Sequence, residues 1–178
     1  MKPSANNLSV WVGDKLVCIK IEGRASFNCS VDFKTLINSL SDKGYRHFVL
    51  DLTNCLVMDS TFLGVLASLG LKFENNRNSE NYSCIELLNP NPRIADLLEN
   101  LGVSHLFHAS NGSLEHMSDN MRQIQPAPAN ASRQEISRTC LEAHKFLMEL
   151  NPANVPKFKD VAQFLAEDLK RMENANGE

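Results

Sequence analysis

Long apolar runs, a surplus of basic charge and clustered cysteines are all missing from this chain of 178 residues. The most apolar stretch, Phe62 to Leu71, is stopped by Lys72, far short of the roughly 20 residues of a membrane span. Eighteen Lys and Arg against 21 Asp and Glu leave a formal charge of -3, so no basic surface for nucleic acid is advertised. The first residues, Met1 to Asn7, are polar and lack the apolar centre of a secretion signal. No Gly-rich phosphate loop is present, so no cofactor is expected and any nucleotide would belong to a partner. The five cysteines, Cys18, Cys29, Cys55, Cys84 and Cys140, are odd in number and scattered. Without a CxxC pair or zinc-finger spacing they read as small, mostly buried side chains of a reducing compartment. No internal repeat is evident. The expectation is a mildly acidic cytoplasmic protein.

What is present is an alternation of strand and helix patterns. Hydrophobic residues make up 43% and charged residues 22% of the chain, which excludes wholesale disorder. Leu8, Val10 and Val12 alternate with polar residues, Gly13-Asp14 supplies a turn, and Leu16 to Ile21 returns as a second strand. A loop follows Gly23, and then Val31, Phe33, Leu36, Ile37 and Leu40 mark a helix that should stop at Gly44. His47 to Leu52 is nearly continuously apolar, as in a strand buried on both faces of a parallel sheet. After a polar turn from Glu74 to Asn81, Ser83 to Leu88 reads as a strand. Asn89-Pro90-Asn91-Pro92 opens a short helix ended by Gly102, and Val103 to His108 reads as a last strand. This order predicts an α/β sandwich with a mixed, largely parallel sheet.

Three parts are expected: a domain over residues 1–108, a flexible linker over 109–132, and a helical appendage over 133–178. More than half of the 109–132 segment is Ala, Ser, Asn, Gly or Pro. Beyond it, Ile136, Cys140, Ala143, Leu147 and Leu150 follow helical spacing. Phe158, Val161, Leu165, Leu169 and Met172 define a second helix. Neither stripe can be buried alone, so the two helices should pair with each other and with something else. Their apolar stripe is an oligomer seam or packs back on the first domain.

The most informative segment is Asp59-Ser60-Thr61 followed by Phe62-Leu63-Gly64-Val65-Leu66. Asp, Ser and Thr are N-cap residues, so a helix starts here, and its all-round apolar body predicts burial. Gly64, Ala67, Ser68 and Gly70 would let its backbone approach a sheet closely. A hydroxyl at such a helix end tolerates phosphate, because free N–H groups and the helix dipole favour an anion. A plain helix cap is the simpler reading from local chemistry. His47, Asp51 and Ser60 contain the residue types of a hydrolase triad, but GxSxG is absent and His47 lies close to Asp51 along one strand. His105, His108 and His116 lack metal-site spacing and read as solvated.

Together, the strand, the turn ending in Met58-Asp59-Ser60-Thr61 and the buried helix Phe62 to Leu66 resemble the STAS domain, and within it the bacterial anti-sigma factor antagonists. The resemblance spans roughly residues 8–108 as a pattern of elements, with the specific match within Val49–Leu66. It implies a STAS-like sandwich that is a phosphorylation-controlled binding module and no enzyme. Ser60 would be the acceptor for a serine kinase that doubles as an anti-sigma factor, with a phosphatase restoring the hydroxyl. Asp59, Ser60, Thr61 and Phe62 would meet the partner, with Gly23, Arg24 and Ser26 on a loop at the same end of the sheet. Phe62 departs from the family pattern, where many members have Gly, and residues 109–178 inherit nothing. The alternatives are a constitutive STAS-like scaffold or adaptor, as in stress-signalling or lipid-transport assemblies, and a small hydrolase using Ser60 or a cysteine.

Overall fold

Alternation of apolar and polar residues sets the first hairpin. Strand β1 (Leu8–Val12) buries Leu8, Val10 and Val12 and pairs antiparallel with β2 (Leu16–Ile21) around a turn closed by Gly13 N–H to Leu16 O at 2.8 Å. The computed structural model describes residues 7–76, 83–114 and 120–175. After β3 (Gly23–Ala25), helix α1 (Phe27–Asp42) turns Phe33, Leu36, Ile37 and Leu40 inward. Gly44 follows at φ 95, the left-handed conformation that ends a helix without a Cβ clash. Strands β4 (His47–Asp51) and β5 (Cys55–Met58) precede α2 (Ser60–Asn75); β6 (Cys84–Leu88) leads to α3 (Pro92–Asn100) and β7 (His108–Ser110). The chain closes with β8 (Arg122–Ile124), α4 (Arg133–Leu150) and α5 (Val155–Ala175).

Two sheets result. The larger has the order β7-β6-β4-β2-β1-β8, and the smaller pairs β3 with β5. Strands β2, β4, β6 and β7 run parallel to one another, while β1 runs antiparallel to both β2 and β8. The mixed, largely parallel sandwich expected from the sequence is therefore present. Phe48 and Leu50 of β4 are fully buried, as a central parallel strand requires. One continuous core joins the sheet to α1, α2 and α3, with Phe33, Phe62, Leu63, Leu66 and Ile94 among its fully buried side chains. Each contributes about 1.5–3 kcal/mol of burial, before entropy is set against it.

Five local expectations differ from the structure. Cys55–Met58, read as part of a turn, is a strand, and Gly23–Ala25, read as a loop, is its parallel partner. Strands of three or four residues carry too little periodicity to be visible in sequence. Residues Ser104–Leu106 form a 3-10 turn, so the last strand of that region begins only at His108. The segment expected as a linker contains β8, which extends the large sheet at β1. In the segment read as a polar turn after Lys72, α2 continues to Asn75, and residues 77–82 lie outside the described residues.

The two C-terminal helices pack differently. Helix α4 opens on a capping box, with Ser132 and Glu135 satisfying each other's backbone N–H. Its Ala143 and Leu147 join the main core against α2, while Leu141 meets Ala162 and Leu169 of α5 in a small separate cluster. A fully buried Asn154 fastens the junction between α4 and α5: its amide donates to Leu101 O at 3.0 Å and Leu147 O at 2.9 Å.

Candidate functional site

Where β5 hands over to α2, one carboxylate organises two helix ends. Asp59 is the N-cap of α2, and its Oδ1 accepts from Phe62 N–H at 2.8 Å. Its Oδ2 accepts from Phe27 N–H at 2.8 Å, at the first residue of α1. Ser26, the N-cap of α1, makes no side-chain cap of its own, so Asp59 performs that task from the neighbouring element. The small sheet makes this reach feasible, because β5 pairs with β3 and Asp59 N–H donates to Ala25 O at 2.9 Å. Both helix dipoles thus end on one negative charge.

Ser60 is the first residue of α2 and is half-buried. Its Oγ lies 2.9 Å from Nε2 of His144, a buried residue of α4. The other ring nitrogen, Nδ1, is 2.7 Å from Cys140 O. A carbonyl only accepts, so Nδ1 carries the hydrogen and, in the neutral ring, Nε2 accepts from the Ser60 hydroxyl. Burial holds the His144 ring below the usual histidine range and keeps it neutral. The ring packs on Phe158 of α5, with centroids 5.0 Å apart.

The remaining predicted site residues separate into two groups. Arg24 is exposed and Gly23 and Ser26 are half-buried, and Arg24, Ser26, Phe27, Val57 and Asp59 line an open cleft of about 290 Å³. Thr61 is buried beside the Cys140 thiol of α4. Phe62 is fully buried, its ring 4.8 Å from that of Phe33, so it braces α2 from inside and offers no surface to a partner. Two exposed apolar side chains that the sequence reading did not single out, Phe27 and Leu56, are 44% and 70% exposed.

The residues of the imagined triad are not brought together. His47 pairs with Glu86 at 3.3 Å, Asp51 accepts from Thr53, and Ser60 meets His144 instead. Burial raises all five thiols above their ordinary range, Cys18 to about 12, which disfavours thiolate nucleophiles. His105 and His108 line a cavity of about 200 Å³ with Glu74 and Cys84. Among the described residues no three metal-ligating side chains cluster, and His116 lies outside them.

His144 is the functional residue that sequence reasoning missed. A signal existed: it lies one helical turn from Cys140 on the stripe that also carries Ala143 and Leu147. A histidine on an apolar stripe must find a partner, but nothing local names one 84 residues away.

An α/β sandwich whose most buried helix opens on a doubly used aspartate and a serine defines a class of domain by geometry. The chain belongs to the STAS domain family, which it matches over residues 8–120. The anti-sigma-B factor antagonist of Staphylococcus aureus (strain NCTC 8325 / PS 47) is 27% identical over 107 residues, 60% of this chain and 94% of that protein. The anti-sigma factor antagonist SpoIIAA in its unphosphorylated form superposes with a TM-score of 0.51 at 17% identity, covering 63% of this chain and 94% of that one. A putative anti-sigma factor antagonist from Thermotoga maritima gives 0.52 at 17% identity, covering 65% and 95%. Helices α4 and α5, and with them His144, lie beyond the family match. Among the described residues no helix is long and apolar enough to cross a membrane.

Proposed function

We propose that this protein is an anti-sigma factor antagonist: it binds an anti-sigma factor that is also a serine kinase, and phosphorylation of Ser60 ends the complex and so controls release of a sigma factor. The observation that carries this reading is a serine directly after the Asp59 cap, at the mouth of the buried helix of a STAS domain. The names of the relatives, curated and structural, point the same way. The chain contributes recognition and no catalysis of its own; ATP belongs to the kinase, and a phosphatase would reset the switch.

The proposed docking surface is the end of the sandwich bearing Arg24, Ser26, Phe27, Asp59 and Ser60. Exposed Phe27 supplies apolar area and Arg24 a charge, as partner contacts commonly require. A phosphoryl group on Ser60 adds about -1.5 to -2 charge beside Asp59, so a docked partner meets repulsion and a desolvation cost. The fold bears the modification because it falls at a helix N-terminus.

The hydrogen bond from Ser60 to His144 favours a second reading, a constitutive scaffold in which that hydroxyl is structural. The two separate when the full chain, with and without Ser60→Ala, is incubated with ATP and the anti-sigma kinase it captures. One phosphate at Ser60, absent from Ser60→Ala, is expected. Phosphate elsewhere, or none, favours the scaffold.

A further inference from the structure

Three consecutive positions along one face of α2 are occupied by α4. His144 takes the Ser60 hydroxyl at 2.9 Å, Cys140 meets Thr61, and Ala143 lies over Gly64 so closely that a Cβ on Gly64 would fall 2.7 Å from the Ala143 Cβ. Resting on the reading above, we propose that the α4–α5 hairpin is an intramolecular lid that competes with kinase and partner for the N-terminal face of α2, and that phosphate on Ser60 excludes it.

The exclusion is steric. At a hydrogen-bond distance only the hydroxyl hydrogen fits between Oγ and Nε2, so a phosphoryl group in its place ends this bond and crowds the half-buried space beneath His144. His144 sits in the middle of α4, and its neighbours Ala143 and Leu147 are packed on α2, so the ring cannot withdraw while the helix stays. Modification and docking are therefore alternative states. Whatever favours the docked hairpin reduces the fraction of chain that a kinase can use.

The hairpin is built to survive undocking. Leu141, Ala162 and Leu169 form its own apolar cluster with Met148, Leu165 and Ala166 packed around it. Arg138 and Glu173 pair across α4 and α5 at 3.1 Å, and the capping box closes the start of α4. The hairpin joins the sandwich through residues 125–131, which form no helix or strand. Its attachments to the sandwich include Ala143 and Leu147, with Phe146, Leu150 and Phe158 packed on the same core, and the Ser60 and Thr61 contacts. They also include the Asn154 amide, Lys157 Nζ donating to Asn100 O at 2.9 Å and an exposed ion pair between Lys34 and Glu142 at 3.3 Å. These keep it closed in the unmodified chain.

The test uses the full chain and two readouts of α4: alkylation of the Cys140 thiol by a maleimide, and hydrogen exchange over residues 133–150. Gly64→Ala drives a wedge between α2 and α4 without touching Ser60, and Ser60→Glu places a negative charge at the acceptor position. Both are expected to raise Cys140 labelling and α4 exchange at least tenfold while β4 and β6 stay protected. Should either variant fail to fold, Glu142→Lys, which sets like charges against Lys34, is expected to give a several-fold rise. Wild-type protection of α4 in all variants overturns the lid, and so does exchange that rises in β4 and β6 together with α4. A Gly64→Ala chain that opens yet captures no anti-sigma factor leaves the lid standing and refutes the partner assignment instead.

Discussion

The sandwich and the C-terminal hairpin bury apolar side chains on different scales. The sandwich encloses Phe33, Phe48, Phe62, Leu63 and Leu66 at zero exposure in one continuous core. The hairpin's own cluster rests on Leu141, Ala162 and Leu169, while Val161 and Phe164 on α5 are 38% and 60% exposed. Helix α4 belongs to both regions: one side completes the cover of α2, and the other carries α5. A region held along one side opens more readily than one enclosed from all sides, because opening exposes less apolar area. The site lies on the seam between the two.

The comparison breaks first at Phe62. Phe62→Ala empties a fully buried ring site beside Phe33 and should cost about 3–5 kcal/mol in denaturant unfolding. A loss comparable to that of an exposed residue would mean that α2 is not the centre of the core. Asp59→Ala removes two caps and should cost about 2 kcal/mol, taking ~1 kcal/mol per cap. Asp59→Asn keeps one acceptor oxygen and should lose roughly half of that; no loss in Asp59→Asn would show that only one of the caps matters.

A smaller effect comes from pH. His144 has its pKa lowered by burial, so the unfolded chain takes up a proton before the folded one does. Its contribution to stability is complete above the ordinary value of 6.5 and declines as pH falls below it. That decline should be visible before carboxylates such as Glu86, whose ordinary value is 4.5 and is lowered chiefly by its bond to Ser110, begin to protonate. His144→Gln should flatten this part of the curve in unfolding measured across pH; an unchanged slope would assign it to another group. Least of all, Phe164→Ser on the exposed face of α5 should move stability by no more than about 0.5 kcal/mol. A larger loss would reveal that α5 is covered in solution, as a second copy of the chain would cover it.

Much of the sandwich was legible because its elements carry strong local signals: alternation in β1, the apolar run of β4, and Asp59-Ser60-Thr61 before α2. Pro92 and Asn91 likewise mark α3, where Asn91 accepts from Ile94 N–H at 3.0 Å. The pairing of β3 with β5 and the addition of β8 to β1 were not legible, since short strands are selected by tertiary pairing rather than by periodicity. At the site, Ser60 and Asp59 could be named from sequence, because capping is local. The second use of Asp59 on α1, the burial of Phe62 and the His144 contact are long-range facts, visible only once the chain is folded.

Under the proposed function, partner binding is controlled at the Ser60 hydroxyl. The most direct measurement of that control is the affinity of the captured anti-sigma factor for the full chain, unmodified and phosphorylated at Ser60, under one set of salt conditions. At least a tenfold weaker complex is expected with the phosphorylated chain, from the added charge beside Asp59. Equal affinity for the two forms would contradict it.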